Sequence, residues 1–188
     1  MRKNIIMLFA VFALVLGSLA CTISAGGPTN PQPTIPVSTE AIGSLEDQVQ
    51  SAQATAVQSG QINLSITEPQ ITSLLAAKLD KQADPLIRNP QVYLRDGQIQ
   101  VYGVAQKGDI EANVRIVFTV AFDPEGKPVI TITSADFGPV PAPAGLNDTI
   151  SGFLDEMFTG SFGPAATGLR LETINIADGV MTLTGKVQ

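Results

Sequence analysis

Three places along the chain set carboxylates side by side. Glu46-Asp47 and Asp155-Glu156 are adjacent pairs, and Asp109 and Glu111 lie two residues apart. Paired carboxylates share a proton or hold a cation only when both point at one spot. Neighbours on a helix project about 100° apart, so the two adjacent pairs read as solvated helix faces. Asp109 and Glu111 share one face of a strand, yet lack the glycine and the further oxygen ligands of a calcium loop. The chain has no His, so it offers no imidazole base, no Ser–His or Cys–His nucleophile and no His-ligated zinc. A single Cys excludes an intrachain disulfide, iron–sulfur ligation and any CxxC pair. Gly138-Pro139 and Gly160-Ser161-Phe162-Gly163 lack the spacing of a phosphate-binding glycine motif. Asn63-Leu64-Ser65 and Asn147-Asp148-Thr149 fit a glycosylation sequon, a pattern frequent by chance. These residues predict a non-enzyme with no cofactor and no metal. The one residue left in a chemically suggestive place is Cys21.

Ahead of it, Arg2 and Lys3 form a short positive region, and Ile5 to Leu16 is an uninterrupted apolar run. A positive start, an apolar stretch of this length and small residues before a cleavage point make a secretory signal. Gly17-Ser18-Leu19-Ala20 leads directly into Cys21, which resembles a bacterial lipoprotein signal, cut before a Cys diacylated on its sulfur. Ser18 and Leu19 are swapped relative to the usual order of that motif. Ordinary cleavage after Ser18-Leu19-Ala20 and an uncleaved anchor helix are the alternatives, the apolar stretch being slightly short of a span. Residues 1–20 are thus expected to be a signal peptide and Cys21 a lipidation site. Two acyl chains hold a protein on a membrane stably where one holds marginally. The expected location is extracytoplasmic, on the bacterial cell membrane or outer membrane.

Removing Arg2 and Lys3 takes the net charge from −6 to −8. An acidic domain makes a poor nucleic-acid partner, since phosphate binding needs clustered Lys and Arg. It is also mildly repelled by anionic lipid, so the tether and not charge must hold it at the membrane. Residues 22–37, TISAGGPTNPQPTIPV, carry four Pro, two Gly and no charge. Proline denies helix and sheet their hydrogen bonds, which predicts an extended leash of 16 residues, reaching about 50 Å. Residues 21–37 are then the lipidated Cys and its linker, and 38–188 a single domain.

Within that domain, Ile42, Leu45, Val49, Ala52 and Ala56 recur at helical spacing over 38–58, and Gly60 stops the helix. Ile62, Leu64 and Ile66 alternate as a strand. Thr67 and Gln70 form a capping box, with Pro69 in the first turn, for a second helix carrying Ile71, Leu74, Leu75 and Leu79. From Gln91 the period becomes two. Val92 and Leu94, an Asp96-Gly97 turn, and Ile99 and Val101 make a hairpin. After Lys107-Gly108-Asp109, Ile110 to Phe122 alternates without a break. Its second face turns apolar at Val117, Thr119 and Ala121, predicting burial on both sides toward its end. In Val129 to Phe137 the apolar phase shifts, placing a bulge near Ser134. Leu146, Ile150, Phe153, Leu154, Met157 and Phe158 mark a third helix. Leu169 to Ile176, Asp178-Gly179 and Met181 to Val187 close with a hairpin. The sum is an α+β fold, a long curved antiparallel sheet meander packed on two or three amphipathic helices.

Apolar side chains are in surplus. Either the stripes of the second and third helices and the long strand fill an ordinary core, or they leave a groove that adaptable Phe and Met side chains line. The order of helix, Asp96-Gly97 hairpin, long strands, helix and GLRLETINIADGVMTLTG resembles the LmeA-like phospholipid-binding proteins of bacterial envelopes, of the tubular lipid-binding superfamily. The likeness is carried by Ile66-Thr67-Glu68-Pro69-Gln70-Ile71 entering a helix, and by Gly168 to Leu171 running on to Ile176-Ala177-Asp178-Gly179. It spans residues 61–187. It implies a curved sheet wrapping a helix around an acyl-chain tunnel, and a non-enzymatic carrier or sensor of a phospholipid-like or other hydrophobic molecule. The expected lining is Ile71, Leu74, Leu75, Phe118, Val120, Ile150, Phe153, Leu154, Met157 and Phe158. The rival reading is a surface-displayed adaptor with a filled core, binding an envelope protein through a sheet edge or loop. A hydrolase built on two carboxylates brought together by folding comes third.

Overall fold

The computed structural model describes residues 23–24, 26–83, 85, 87–107, 110–124, 126–139, 141–142, 152 and 169–187. Cys21 and the expected third helix, with Ile150, Phe153, Leu154, Met157 and Phe158, lie outside the described residues. Helix α1 runs over Thr39–Ser59. Ser38 caps its start, its Oγ accepting from the Ala41 N–H at 3.1 Å. Gly60 ends it in the left-handed region (φ 71°), its N–H returning to the Ala56 carbonyl. Helix α2, Glu68–Leu79, opens on the expected box: the Thr67 N–H donates to Gln70 Oε1 at 2.9 Å.

The fold is α+β, and its strands divide between two sheets. Strands β3 (Arg88–Arg95), β4 (Gln98–Lys107), β5 (Ile110–Phe122) and β6 (Pro128–Asp136) form an antiparallel meander. The short β1 (Ile23–Ser24) adds to β5 in parallel. Strand β2 (Gln61–Thr67) does not join this meander. It pairs antiparallel with β8 (Val180–Val187), which pairs with β7 (Leu169–Ala177). The single expected meander is thus two sheets. A strand's apolar alternation fixes which face it buries but not its neighbour, and here the neighbour is more than a hundred residues away. Buried side chains from both sheets and both helices form one continuous core.

Two hairpin turns join the sheets. Asp96-Gly97 and Asp178-Gly179 both have positive φ at both residues, the requirement of the tight hairpin turn that Asp-Gly favours. Each turn bonds to the other hairpin: the Gly97 N–H donates to the Ile176 carbonyl and the Gly179 N–H to the Leu94 carbonyl.

The expected bulge in β6 is present. Val117 pairs with Ser134 but Phe118 pairs with Ile132, leaving Thr133 as the extra residue. The expected double burial of β5 sits further back than predicted. Ile116, Val117 and Phe118 are buried, whereas Ala121 is exposed where the β5–β6 hairpin runs toward its turn. Helix α2 is buried on more than its apolar stripe. Gln70, Thr72 and Ser73 are also buried, each with a partner: Gln70 Nε2 donates to Ser44 Oγ, Thr72 Oγ1 accepts from the Val92 N–H, and Ser73 Oγ accepts from the Ser38 N–H.

The segment expected to be a free leash up to Val37 lies against the first sheet instead. The Gly26 carbonyl accepts from the Asn113 N–H, and Ile35 is buried with Tyr93 and Tyr102 on the face away from the core. Two aromatic side chains on the outer face of β3 and β4 offer apolar surface, which outweighs the tendency of a proline-rich chain to stay solvated.

Candidate functional site

Of the ten residues expected to line a hydrophobic groove, five are described. Ile71, Leu75, Phe118 and Val120 all belong to the continuous core, with Ile71 1% exposed and Phe118 3%. Leu74, also on α2, is half-buried against that core. The structure therefore brings the five together, but as packing neighbours between α2 and the two sheets.

The apolar surface does not stop there. On the inner face of the first sheet, Phe118 pairs with Ile132, Val120 with Ile130, and Phe122 with Pro128. Phe122, Ile130 and Ile132 are only half-buried, as is Ile174 on the inner face of the second sheet. The β5–β6 turn rests on the start of β7, where Arg170 donates to the Pro124 carbonyl and Gly126 abuts Leu171. The inner faces of the two sheets thus carry a half-buried apolar margin beyond the packed core. Alternation gives the buried face of β5, but depth along the strand depends on what crosses it.

The chain matches no family model, and no curated protein shows significant similarity to it.

Two open grooves on the described surface mix polar and apolar lining. The larger, about 980 Å³, runs between α1 and the second sheet, and includes Asp47, Ser51, Thr55, Asn63, Thr184 and Lys186. It follows the free edge of β2. The Val187 N–H donates to the Gly60 carbonyl and the Glu68 N–H to the Gly179 carbonyl, so alternate residues Ile62, Leu64 and Ile66 turn their backbone groups to β8. Asn63 and Ser65 turn theirs to the open side. The smaller groove, about 460 Å³, sits where the two Asp-Gly turns meet, beside Glu68, Arg95, Asp96 and Asp178. No group of three acidic, His or Cys side chains among the described residues is placed to hold a metal. Glu46 and Asp47 are both exposed on α1, and Asp109 and Asp155-Glu156 lie outside the described residues.

Three polar side chains that pattern reading left unassigned do the positioning. Glu68, the first residue of α2, accepts the Leu94 N–H at 2.8 Å and faces the Arg95 guanidinium at 3.5 Å, pinning the helix to the hairpin. Gln91 and Tyr93 face outward from β3 and hold the proline-rich segment. Burial, reinforced by the Glu68 carboxylate, holds the Tyr93 hydroxyl above its ordinary pKa against the opposing pull of Arg95. The Thr67–Gln70 box pointed to Glu68 as a helix-start residue, but nothing in sequence spacing signals its long-range acceptor role.

Proposed function

We propose that this chain is a non-enzymatic, extracytoplasmic lipoprotein, anchored through acylated Cys21, whose domain holds a phospholipid-like or other hydrophobic molecule between its two sheets. The observation that carries the reading is the half-buried apolar margin of Ile130, Ile132 and Ile174. Half-buried large apolar side chains at the edge of a core offer surface that a hydrophobic ligand can cover. The lining moves outward from the α2 stripe to this margin, with the Ile150 to Phe158 stripe remaining the sequence's expectation for the rest. Apolar burial drives binding at about 25 cal/mol per Å², and a polar head group stays at the solvent side.

The test is uptake of a fluorescent phospholipid by the mature protein, with Cys21→Ser to remove the anchor. Ile130→Asn with Ile132→Asn should abolish uptake while the domain stays folded. Unchanged uptake in that double variant would overturn the placement.

The packed state of Ile71, Leu75, Phe118 and Val120 favours a second reading, a non-catalytic adaptor that binds an envelope protein. The groove along β2 suits it, because the free N–H and C=O groups of Asn63 and Ser65 can take an added strand. Replacing Ser65 by Pro removes one of those donors without touching the apolar margin, so loss of partner binding with intact lipid uptake would favour the adaptor.

A further inference from the structure

The segment between Cys21 and α1 makes contacts that a spacer does not need. Ile35 buries its side chain against Tyr93 and Tyr102, whose rings meet edge to face at 5.6 Å between centroids. The Gln91 side chain reads the backbone of Ile35 at both ends: its Oε1 accepts the Ile35 N–H at 2.5 Å and its Nε2 donates to the Ile35 carbonyl at 3.1 Å. The Tyr93 hydroxyl donates to the Pro31 carbonyl at 2.9 Å. Two guanidiniums flank the rings, Arg95 5.1 Å from the centre of Tyr93 and Arg115 5.9 Å from that of Tyr102. Prolines have no N–H, so their segment cannot add to a sheet as a strand. It is held instead by its carbonyls, by the Ile35 N–H and by an apolar side chain, and those are the groups this face engages.

We propose that the outer face of β3 and β4 is a recognition site for a proline-rich segment, filled in cis by Pro31 to Ile35, so that the presumed spacer is a latch. Gln91 and Tyr93 supply the donors and acceptor, and the Tyr93–Tyr102 pair supplies the pocket for one aliphatic side chain. A neutral, hydroxyl- and amide-bearing segment suits a site whose aromatic rings are flanked by two guanidiniums, one of them paired with the Glu68 carboxylate. On the lipoprotein reading, the latch and the β1–β5 pairing hold Pro31 to Ile35 and Ile23–Ser24 against the sheet, so residues 22–37 do not serve as one free tether. The site itself does not depend on that reading.

The experiment uses the mature protein carrying Cys21→Ser, with amide hydrogen exchange and a labelled synthetic peptide of residues 28–37. The Ile35 amide should exchange at least about a hundredfold more slowly than in the free peptide. Tyr93→Phe should cut protection across residues 29–37 by about tenfold, the scale of one lost hydrogen bond, with other amides unchanged. Ile35→Asp should release the latch, and the peptide should then bind this variant while failing to bind the unaltered protein, whose site is filled. Exchange of Ile35 at the free-peptide rate overturns the proposal, as does failure of the peptide to bind an Ile35→Asp protein whose other amides keep their protection. Should Ile35→Asp fail to fold, the Tyr93→Phe result decides: no change in the protection of residues 29–37 overturns it.

Discussion

Glu68 carries more of the architecture than its place at a helix start suggests. Its carboxylate is largely buried, 13% exposed, and accepts a backbone N–H from β3 beside the turn where the two hairpins bond to each other. A hydrogen bond to a charged group contributes about 1.5–3 kcal/mol, and removing one partner strands the other. Glu68→Ala should therefore lower the unfolding free energy by about 2–3 kcal/mol in urea titration, and Glu68→Gln, which keeps an acceptor oxygen, by about half of that. Tyr93 gives a pH dependence with a defined sign. Its folded pKa lies above the ordinary 10.0, so the folded state keeps its proton where the unfolded chain has begun to lose it. The stability it contributes is complete below about pH 10 and is lost as pH rises through the raised value. Subtracting the pH–stability curve of Tyr93→Phe from that of the unaltered protein should show this loss only on the alkaline side. A flat difference from pH 8 to 11 would contradict it.

At the scale of elements, Gly185 on β8 shows how closely the second sheet is packed. A Cβ there would run into the Arg170 carbonyl oxygen and press on the Leu171 Cα, at the bulge where β7 slips past β8 between Leu171 and Thr173. Backbone cannot yield as a side-chain tip can. Gly185→Ala should cost at least about 2–3 kcal/mol and loosen the amide protection of β7 before that of β4. Most elements were legible in the sequence, because each carries a local signal: apolar spacing from Ile42 to Ala56 and the stop at Gly60 mark α1, the Thr67–Gln70 box opens α2, and Asp96-Gly97 and Asp178-Gly179 set the hairpins. The phase slip at Ser134 located a bulge for the same reason. The partnership of β2 with β8 was not legible, since alternation marks a face and not a neighbour. Nor was the burial of Thr72 and Ser73, whose hydroxyls look solvated until Val92 and Ser38 are seen to bond to them. The latch escaped notice because proline content argues only against helix and sheet, and the aromatic pair that receives Ile35 lies some sixty residues further on.

For the whole molecule, the apolar residues fall into a packed core and a half-buried margin, which under the proposed function meets the ligand. The two should respond oppositely to substitution. Ile71→Ala removes a fully buried side chain and should cost about 2–5 kcal/mol, measured by urea unfolding, with any loss of lipid uptake following from lost folding. Ile130→Asn with Ile132→Asn touches half-buried positions and should cost less, about 1–2 kcal/mol, while removing uptake. A bound lipid should also raise the unfolding temperature with concentration, by the mass action that any ligand of the folded state exerts. The most direct measurement is native mass spectrometry of the mature protein with Cys21→Ser, purified without detergent, followed by extraction of what came with it. The proposed lipid binding predicts a discrete added mass that resolves into an acyl lipid, absent from the Ile130→Asn, Ile132→Asn variant. A protein of bare chain mass, unchanged after incubation with phospholipid vesicles, would contradict it and leave the adaptor reading in its place.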